Sequence, residues 1–181
     1  MTIIIIHGAY GHPNENWYPW LKAELEILRQ KVIVPEFPTP ENQTLENWLR
    51  LFEYKLDENT ILVGHSLGAA FILTILERLK KPIKAAFLVA GFIGKLGHHE
   101  FDEINKTFIE KPFNWQRIKQ NCKQFFIYNS DNDPYVPLEK GEQIAKNLGV
   151  ELNVMKGAGH FNADAGYTEF NILLEDIKRI L

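Results

Sequence analysis

Residues 3–6 read Ile-Ile-Ile-Ile, and Phe87-Leu88-Val89 repeats that character farther along. Both runs are continuously apolar where a half-solvated strand would alternate, so each reads as a strand covered on both faces. Six β-rich runs are spaced along the chain: Thr2 to Ile6, Lys31 to Val34, Thr60 to Val63, Ala85 to Ala90, Gln124 to Tyr128 and Glu151 to Met155. Between them, apolar residues recur at helical spacing. Trp17, Trp20, Leu21, Leu25 and Leu28 share one face, and Leu45, Trp48, Leu49 and Phe52 share another. Leu73, Leu76 and Leu79 mark a third helix within Ala69 to Lys80, and further helices are predicted over Trp115 to Asn121, Leu138 to Leu148 and Phe170 to Leu181. Strands alternating with helices imply an α/β fold, with a parallel sheet, helices on both faces and right-handed crossovers. A chain of 181 residues has room for one such core, which predicts a single domain over 1–181.

The third strand runs into Gly64-His65-Ser66-Leu67-Gly68, and a helical pattern follows it. Chance alone places a G-x-S-x-G string in a chain of this length on the order of 0.06 times. Its position between strand and helix adds the context of a nucleophile elbow, a strained corner that exposes the serine hydroxyl at the sheet edge. Gly64 and Gly68 lack the Cβ atoms that would collide where strand and helix pack closely. Ser66 is therefore the candidate nucleophile.

A serine hydroxyl needs a base, and the base needs a carboxylate to fix its tautomer and steady its charge. On such an elbow the partners follow in the order serine, acid, histidine. Of six histidines, His7, His12 and His65 do not follow the serine, and His98 and His99 precede every acid at a strand end. His160 remains, in a glycine-rich loop after the last strand. The acid is Asp131 or Asp133, both following the fifth strand, and composition does not separate them. The oxyanion donors fall to the amides of Leu67, after the serine, and Ala9, past His7-Gly8, with Tyr10 as the alternative to Ala9. Aromatic residues near the active edge, Tyr10, Trp17, Tyr18, Phe92, Phe113, Tyr135 and Phe161, are expected to form a small pocket for short acyl chains. A short lid is expected between about Gly91 and Phe113.

Other chemistries find little support. Lys and Arg number 20 against 23 Asp and Glu, for a formal charge of -3, so no basic surface suggests nucleic acid. His98-His99-Glu100 lacks a spaced partner pair and reads as solvated lid loop, so no metal site is expected. Gly157-Ala158-Gly159 has Asn162 where a dinucleotide fingerprint wants its third glycine. Gly91-Phe92-Ile93-Gly94-Lys95 has two residues between its glycines where a phosphate loop has four, and no cofactor is expected. The lone Cys122 forms no internal disulfide. No apolar run approaches a membrane span, and no signal-peptide pattern opens the chain. These readings predict a soluble, reduced, cytoplasmic protein without membrane contact.

With Ser66, His160 and the His7-Gly8 loop in place, the chain resembles the α/β-hydrolases, and more narrowly the small serine hydrolases grouped with retinoblastoma-binding protein 9. The likeness runs through Asn16-Trp17-Tyr18-Pro19-Trp20-Leu21, Gly64-His65-Ser66-Leu67-Gly68-Ala69, Asn114-Trp115 leading to Ile118-Lys119-Gln120-Asn121-Cys122, Asp133-Pro134-Tyr135-Val136-Pro137 and Gly159-His160-Phe161-Asn162. The D-x-x-V-P turn, common among α/β-hydrolases, selects Asp133 as the acid. The resemblance implies a three-layer sandwich of about six parallel strands in the order 2-1-3-4-5-6, lacking the first two strands of larger relatives and carrying almost no cap. It also implies a serine esterase or amidase acting on small acyl esters or amides through an acyl-enzyme. The alternative is a binding protein on the same fold with a silent elbow. The L-x-C-x-E motif proposed for partner contact in the mammalian member is absent, since the only cysteine reads Gln120-Asn121-Cys122-Lys123-Gln124, so no protein partner is named.

Overall fold

A computed structural model describes residues 1–181. All six apolar runs are strands of one sheet: β1 (Thr2–Ile6), β2 (Lys31–Ile33), β3 (Thr60–His65), β4 (Ala85–Val89), β5 (Phe125–Ser130) and β6 (Leu152–Met155). Their order is β2-β1-β3-β4-β5-β6, and every neighbouring pair is parallel. The helices are α1 (Tyr18–Ile27), α2 (Leu45–Leu51), α3 (Leu67–Arg78), α4 (His99–Ile109), α5 (Trp115–Gln120), α6 (Leu138–Leu148) and α7 (Asn171–Lys178), with a short 3-10 turn at Ala163–Ala165. This is the α/β-hydrolase architecture.

The period-2 alternation of strand side chains divides the interior into two layers. Ile4, Ile6, Leu62, Ala86, Leu88 and Ile127 face Trp48 of α2, Phe71 of α3, Phe108 of α4, Ile118 of α5 and Ile144 of α6. Ile3, Ile5, Ile61, Val63, Phe87 and Tyr128 face Trp17, Leu21 and Leu25 of α1 and its N-cap, and Leu173, Leu174 and Ile177 of α7. Each fully buried Leu, Ile or Phe contributes about 1.5 to 3 kcal/mol, so both layers are needed to hold the sheet. α3 is the most enclosed helix, with every residue from Leu67 to Leu76 buried. No helix is long and apolar enough to cross a membrane.

Two elements depart from the sequence reading. β3 runs through Gly64 and His65, which pair with Leu88 and Val89, so the strand ends two residues later than expected. The lid read as loop at His98-His99-Glu100 contains helix α4 from His99 onward. Phe101, Asn105 and Phe108 recur there at helical spacing, a signal masked by the surrounding charges. The Asp102 carboxylate accepts the Leu96 and Gly97 amides at 2.6 and 3.1 Å, and Gln43 Nε2 donates to Asn105 Oδ1 at 2.7 Å, so the lid helix is tied down in its first turn and at its middle.

Parallel pairing brings the carboxyl ends of β1, β3, β5 and β6 to one rim. The loops after these strands carry His7-Gly8, Ser66, Asp131 to Asp133 and Gly157 to His160. Ligands in open α/β sheets bind at such a rim.

Candidate active site

Ser66 sits between β3 and α3 at φ 55° and ψ -119°, a left-handed conformation for a residue with a side chain. Such a backbone costs about 1 to 3 kcal/mol and persists only where its surroundings impose it. Here the Ser66 amide donates to Val89 O at 2.8 Å, and its carbonyl accepts the Ala69 amide at 3.0 Å. A Cβ on Gly68 would lie 2.5 Å from the Ile6 carbonyl oxygen, so glycine is what lets α3 start against β1.

The acid and base loops are laced together. Asp131 Oδ1 accepts the Gly157 amide at 2.8 Å, Ser130 Oγ the Ala158 amide at 3.0 Å, and Asn132 Oδ1 the Gly159 amide at 2.8 Å. Asp133 then takes the next residue itself: its Oδ2 accepts from His160 Nδ1 at 2.7 Å. Its Oδ1 accepts the Tyr135 and Val136 amides at 2.9 and 3.0 Å, and the carboxylate is 1% exposed. Of the two acids the sequence left open, Asp133 pairs with the imidazole, while Asp131 holds backbone. His160 Nε2 makes no protein hydrogen bond, nor does the Ser66 hydroxyl, and both residues line the same cavity.

On the far side of His160 a second set of contacts fixes its backbone. His65 Nε2 donates to the His160 carbonyl at 2.7 Å, and Trp17 Nε1 donates to the Phe161 carbonyl at 2.9 Å. The Asn16 Oδ1 accepts the Ala163 amide at 2.8 Å. His65 Nδ1 in turn accepts from the Tyr18 hydroxyl at 2.6 Å. Burial, seconded by the nearby His160, pushes His65 down to about 3, so it is neutral. The sequence reading set His65 aside because it precedes the serine.

The candidate oxyanion loop follows β1. His7 is buried with both ring nitrogens engaged: Nε2 accepts the Phe37 amide at 3.0 Å, which leaves Nδ1 to donate to the Gly8 carbonyl at 2.8 Å. Burial lowers its pKa and keeps it neutral. In a trans peptide the carbonyl and the following N–H point in opposite directions, so pinning the Gly8 carbonyl aims the Ala9 amide away from His7. The amides of Ala9 and Leu67 have no protein acceptor, whereas the Tyr10 amide donates to Thr39 Oγ1 at 2.6 Å. Tyr10 is thereby removed as the alternative donor.

The cavity measures about 400 Å³, at the small end of ligand pockets. Of the expected aromatic lining, Tyr10, Phe92 and Tyr135 border it. Trp17, Tyr18, Phe113 and Phe161 do not, which corrects the sequence reading. Trp17 and Phe161 are fully buried beneath the rim, where Phe161 stacks on Phe170 at 5.4 Å, and Phe113 packs on Trp115 at 5.6 Å beside α5. Their large apolar surfaces draw them into the layers below. The lid supplies Leu96, Phe101 and Asn105 to the cavity, and the loops before α1 and after His160 supply Glu15, Asn16, Asn162 and Asp164. None of these was singled out from the sequence as lining; a helical reading of the lid would have found Phe101 and Asn105. The Tyr10 hydroxyl donates to Glu100 Oε1 at 2.7 Å, linking the oxyanion loop to the lid. Cys122 lies outside the site, buried, with its thiol donating to the Gln124 carbonyl at 3.0 Å and pushed up to about 12 by that burial.

The sequence matches the serine hydrolase family over residues 3–179. YdeN of Bacillus subtilis is 32% identical over 179 residues, spanning 96% of this chain and 92% of YdeN. Serine hydrolase RBBP9 of Rattus norvegicus is 30% identical over 183 residues, spanning 99% of this chain and 94% of that protein. The crystal structure of the B. subtilis ydeN gene product matches with a TM-score of 0.91 at 30% identity, covering 99% of this chain and 97% of that one. Est1E from Butyrivibrio proteoclasticus, solved with ferulic acid bound, shares the fold at a TM-score of 0.70 and 17% identity, with 98% and 89% of the two chains covered. A chain matched from end to end, with this sheet order and a serine on a strained elbow, belongs to the serine hydrolase family.

Proposed function

We propose that this serine hydrolase is an esterase or amidase of small acyl esters or amides, acting through Ser66, His160 and Asp133. The observation that carries the reading is the 2.7 Å bond between Asp133 and His160 at a cavity that Ser66 also lines. Asp133 fixes the proton of His160 on Nδ1, which leaves Nε2 as the acceptor a general base requires. In this reading Ser66 Oγ attacks the acyl carbon as its proton passes to His160 Nε2. The carbonyl electrons move onto the oxygen, which the Ala9 and Leu67 amides stabilise. Collapse expels the leaving group, which takes the proton from His160, and water repeats the sequence to free the acid.

The cavity supports a substrate class as well. Phe92, Leu96, Phe101 and Val136 offer apolar surface for a short acyl group, and Glu15 and Asp164 line the same cavity with no Lys or Arg among the lining residues. Neutral or cationic substrates fit this field better than anionic ones. No cofactor, nucleic acid or membrane enters the reaction, and the single buried thiol suits a reducing cytoplasmic setting.

Hydrolysis of p-nitrophenyl acetate and labelling by a fluorophosphonate probe test the reading. Both are expected of the native protein and lost in Ser66→Ala. A Ser66→Ala protein as active as the native one would remove Ser66 as the nucleophile. A native protein that reacts with neither reagent would favour the binding-protein alternative.

A further inference from the structure

We infer that His65 and Tyr18 are positioning residues for His160, holding the base through its own backbone carbonyl. This inference rests on the reading of His160 as general base. The loop that carries His160 bends sharply: Gly157 and Gly159 take positive φ, at 68° and 55°, which glycine adopts freely, and Phe161 is held at 52°, which is costly for a residue with a side chain. A segment of that kind takes its shape from outside contacts. On one side, the side chains of Ser130, Asp131 and Asn132 fix the amides before His160. On the other, His65 alone holds the carbonyl of His160 itself, with the two rings 4.9 Å apart.

The chemistry of the contact selects a neutral imidazole. The His160 carbonyl can only accept, so His65 Nε2 carries the proton and Nδ1 is left as an acceptor. The Tyr18 hydroxyl, on the first residue of α1, fills that acceptor at 2.6 Å, with Asn16 Nδ2 3.4 Å behind it. A cationic group here would oppose the charge that His160 gains during catalysis. A neutral ring donates at one end, accepts at the other and adds no charge. Tyr18 is fully buried and His65 shows only an edge to the cavity, so water cannot replace the Tyr18–His65 bond without rearrangement. With the carbonyl released, the imidazole can drift from the line between Asp133 and Ser66, and a misplacement of about 1 Å is worth on the order of a hundredfold in rate.

The test compares His65→Leu, His65→Gln and Tyr18→Phe in the full chain, on p-nitrophenyl acetate, with active sites counted by fluorophosphonate titration. His65→Leu is expected to lose about a hundredfold in kcat at unchanged KM. His65→Gln, which keeps a donor and an acceptor, is expected to recover to within about tenfold, and Tyr18→Phe to lose about five- to tenfold. A second readout needs no turnover: the low-field proton resonance of His160 Nδ1–H on Asp133 should be sharp in the native protein and broadened by exchange in His65→Leu. That resonance decides the inference even if the native chain proves to hydrolyse nothing, a result that would instead sink the proposed activity. Native kcat per active site and an unchanged resonance in His65→Leu would overturn the positioning role. If His65→Leu does not fold, Tyr18→Phe carries both readouts, and native values in both would overturn it equally.

Discussion

Asp131 and Asp133 stand two residues apart after β5 and grip the same loop at different points: Asp131 Oδ1 accepts the Gly157 amide at 2.8 Å, and Asp133 Oδ2 accepts from His160 Nδ1 at 2.7 Å. Only the second contact reaches an ionisable ring. Asp133→Asn would present an amide to His160 Nδ1 and favour the wrong tautomer, so kcat is expected to fall by about 10⁴-fold. Asp131→Asn keeps an oxygen for Gly157 and should lose less than about tenfold. Steady-state kinetics of the two variants on p-nitrophenyl acetate checks the contrast, and equal losses would mean that Asp133 is not the triad acid.

Gly8 is the second point of close approach. A Cβ there would lie 2.9 Å from Ser66 Cβ and 3.3 Å from the His65 carbonyl oxygen, neither of which is the end of a flexible side chain. Gly8→Ala should therefore lower stability by about 1 to 3 kcal/mol and displace the elbow against the oxyanion loop. Urea unfolding together with kcat measures both effects. A native midpoint and native kcat would show that the loop yields at no cost.

Acid should destabilise the fold through its buried imidazoles. Folded His65 gains its proton only near pH 3, against 6.5 for an ordinary histidine, so below about pH 6.5 the unfolded chain binds a proton that the folded chain refuses. Its contribution is intact above that pH. It then falls by about 1.4 kcal/mol per pH unit until about pH 3. His7, lowered in the same direction by burial, adds to the slope. Urea unfolding followed from about pH 7 to about pH 4.5 should show a steeper loss in the native protein than in His65→Gln, and parallel curves would contradict the neutral assignment.

The charge of the cavity gives a further expectation. With Glu15 and Asp164 lining the cavity and no Lys or Arg beside them, an acyl ester ending in a carboxylate should be disfavoured by about 1 to 2 kcal/mol, a loss of roughly 5- to 30-fold in kcat/KM against a neutral ester of similar length. Glu15→Gln should narrow the gap. Comparing acetyl and hemisuccinyl p-nitrophenyl esters measures it, and equal rates would remove the carboxylates from substrate selection.

Much of this arrangement is legible in the sequence because it is written in local pattern. Ile3 to Ile6 announce a doubly covered strand, and the glycines around Ser66 announce the elbow. The order serine, acid, histidine narrows six histidines to His160. What stays hidden depends on contacts between distant segments. Trp17 and Phe161 carry the composition of a pocket yet lie in the core, because burying such rings outweighs their place in sequence near the rim. His65 is excluded by chain order as a base, and its hold on His160 exists only once β3 and the loop after β6 are folded together. The helix α4 was readable from Phe101 and Phe108, but its exposed charges resemble loop.

Cys122 has a consequence for the chemistry of the whole chain. With its thiol held protonated in the interior at any physiological pH, alkylating agents and mild oxidants meet no thiolate. Thiol-directed reagents are left without a target, so covalent inactivation by an acylating or phosphonylating electrophile reports on the elbow rather than on a stray thiol.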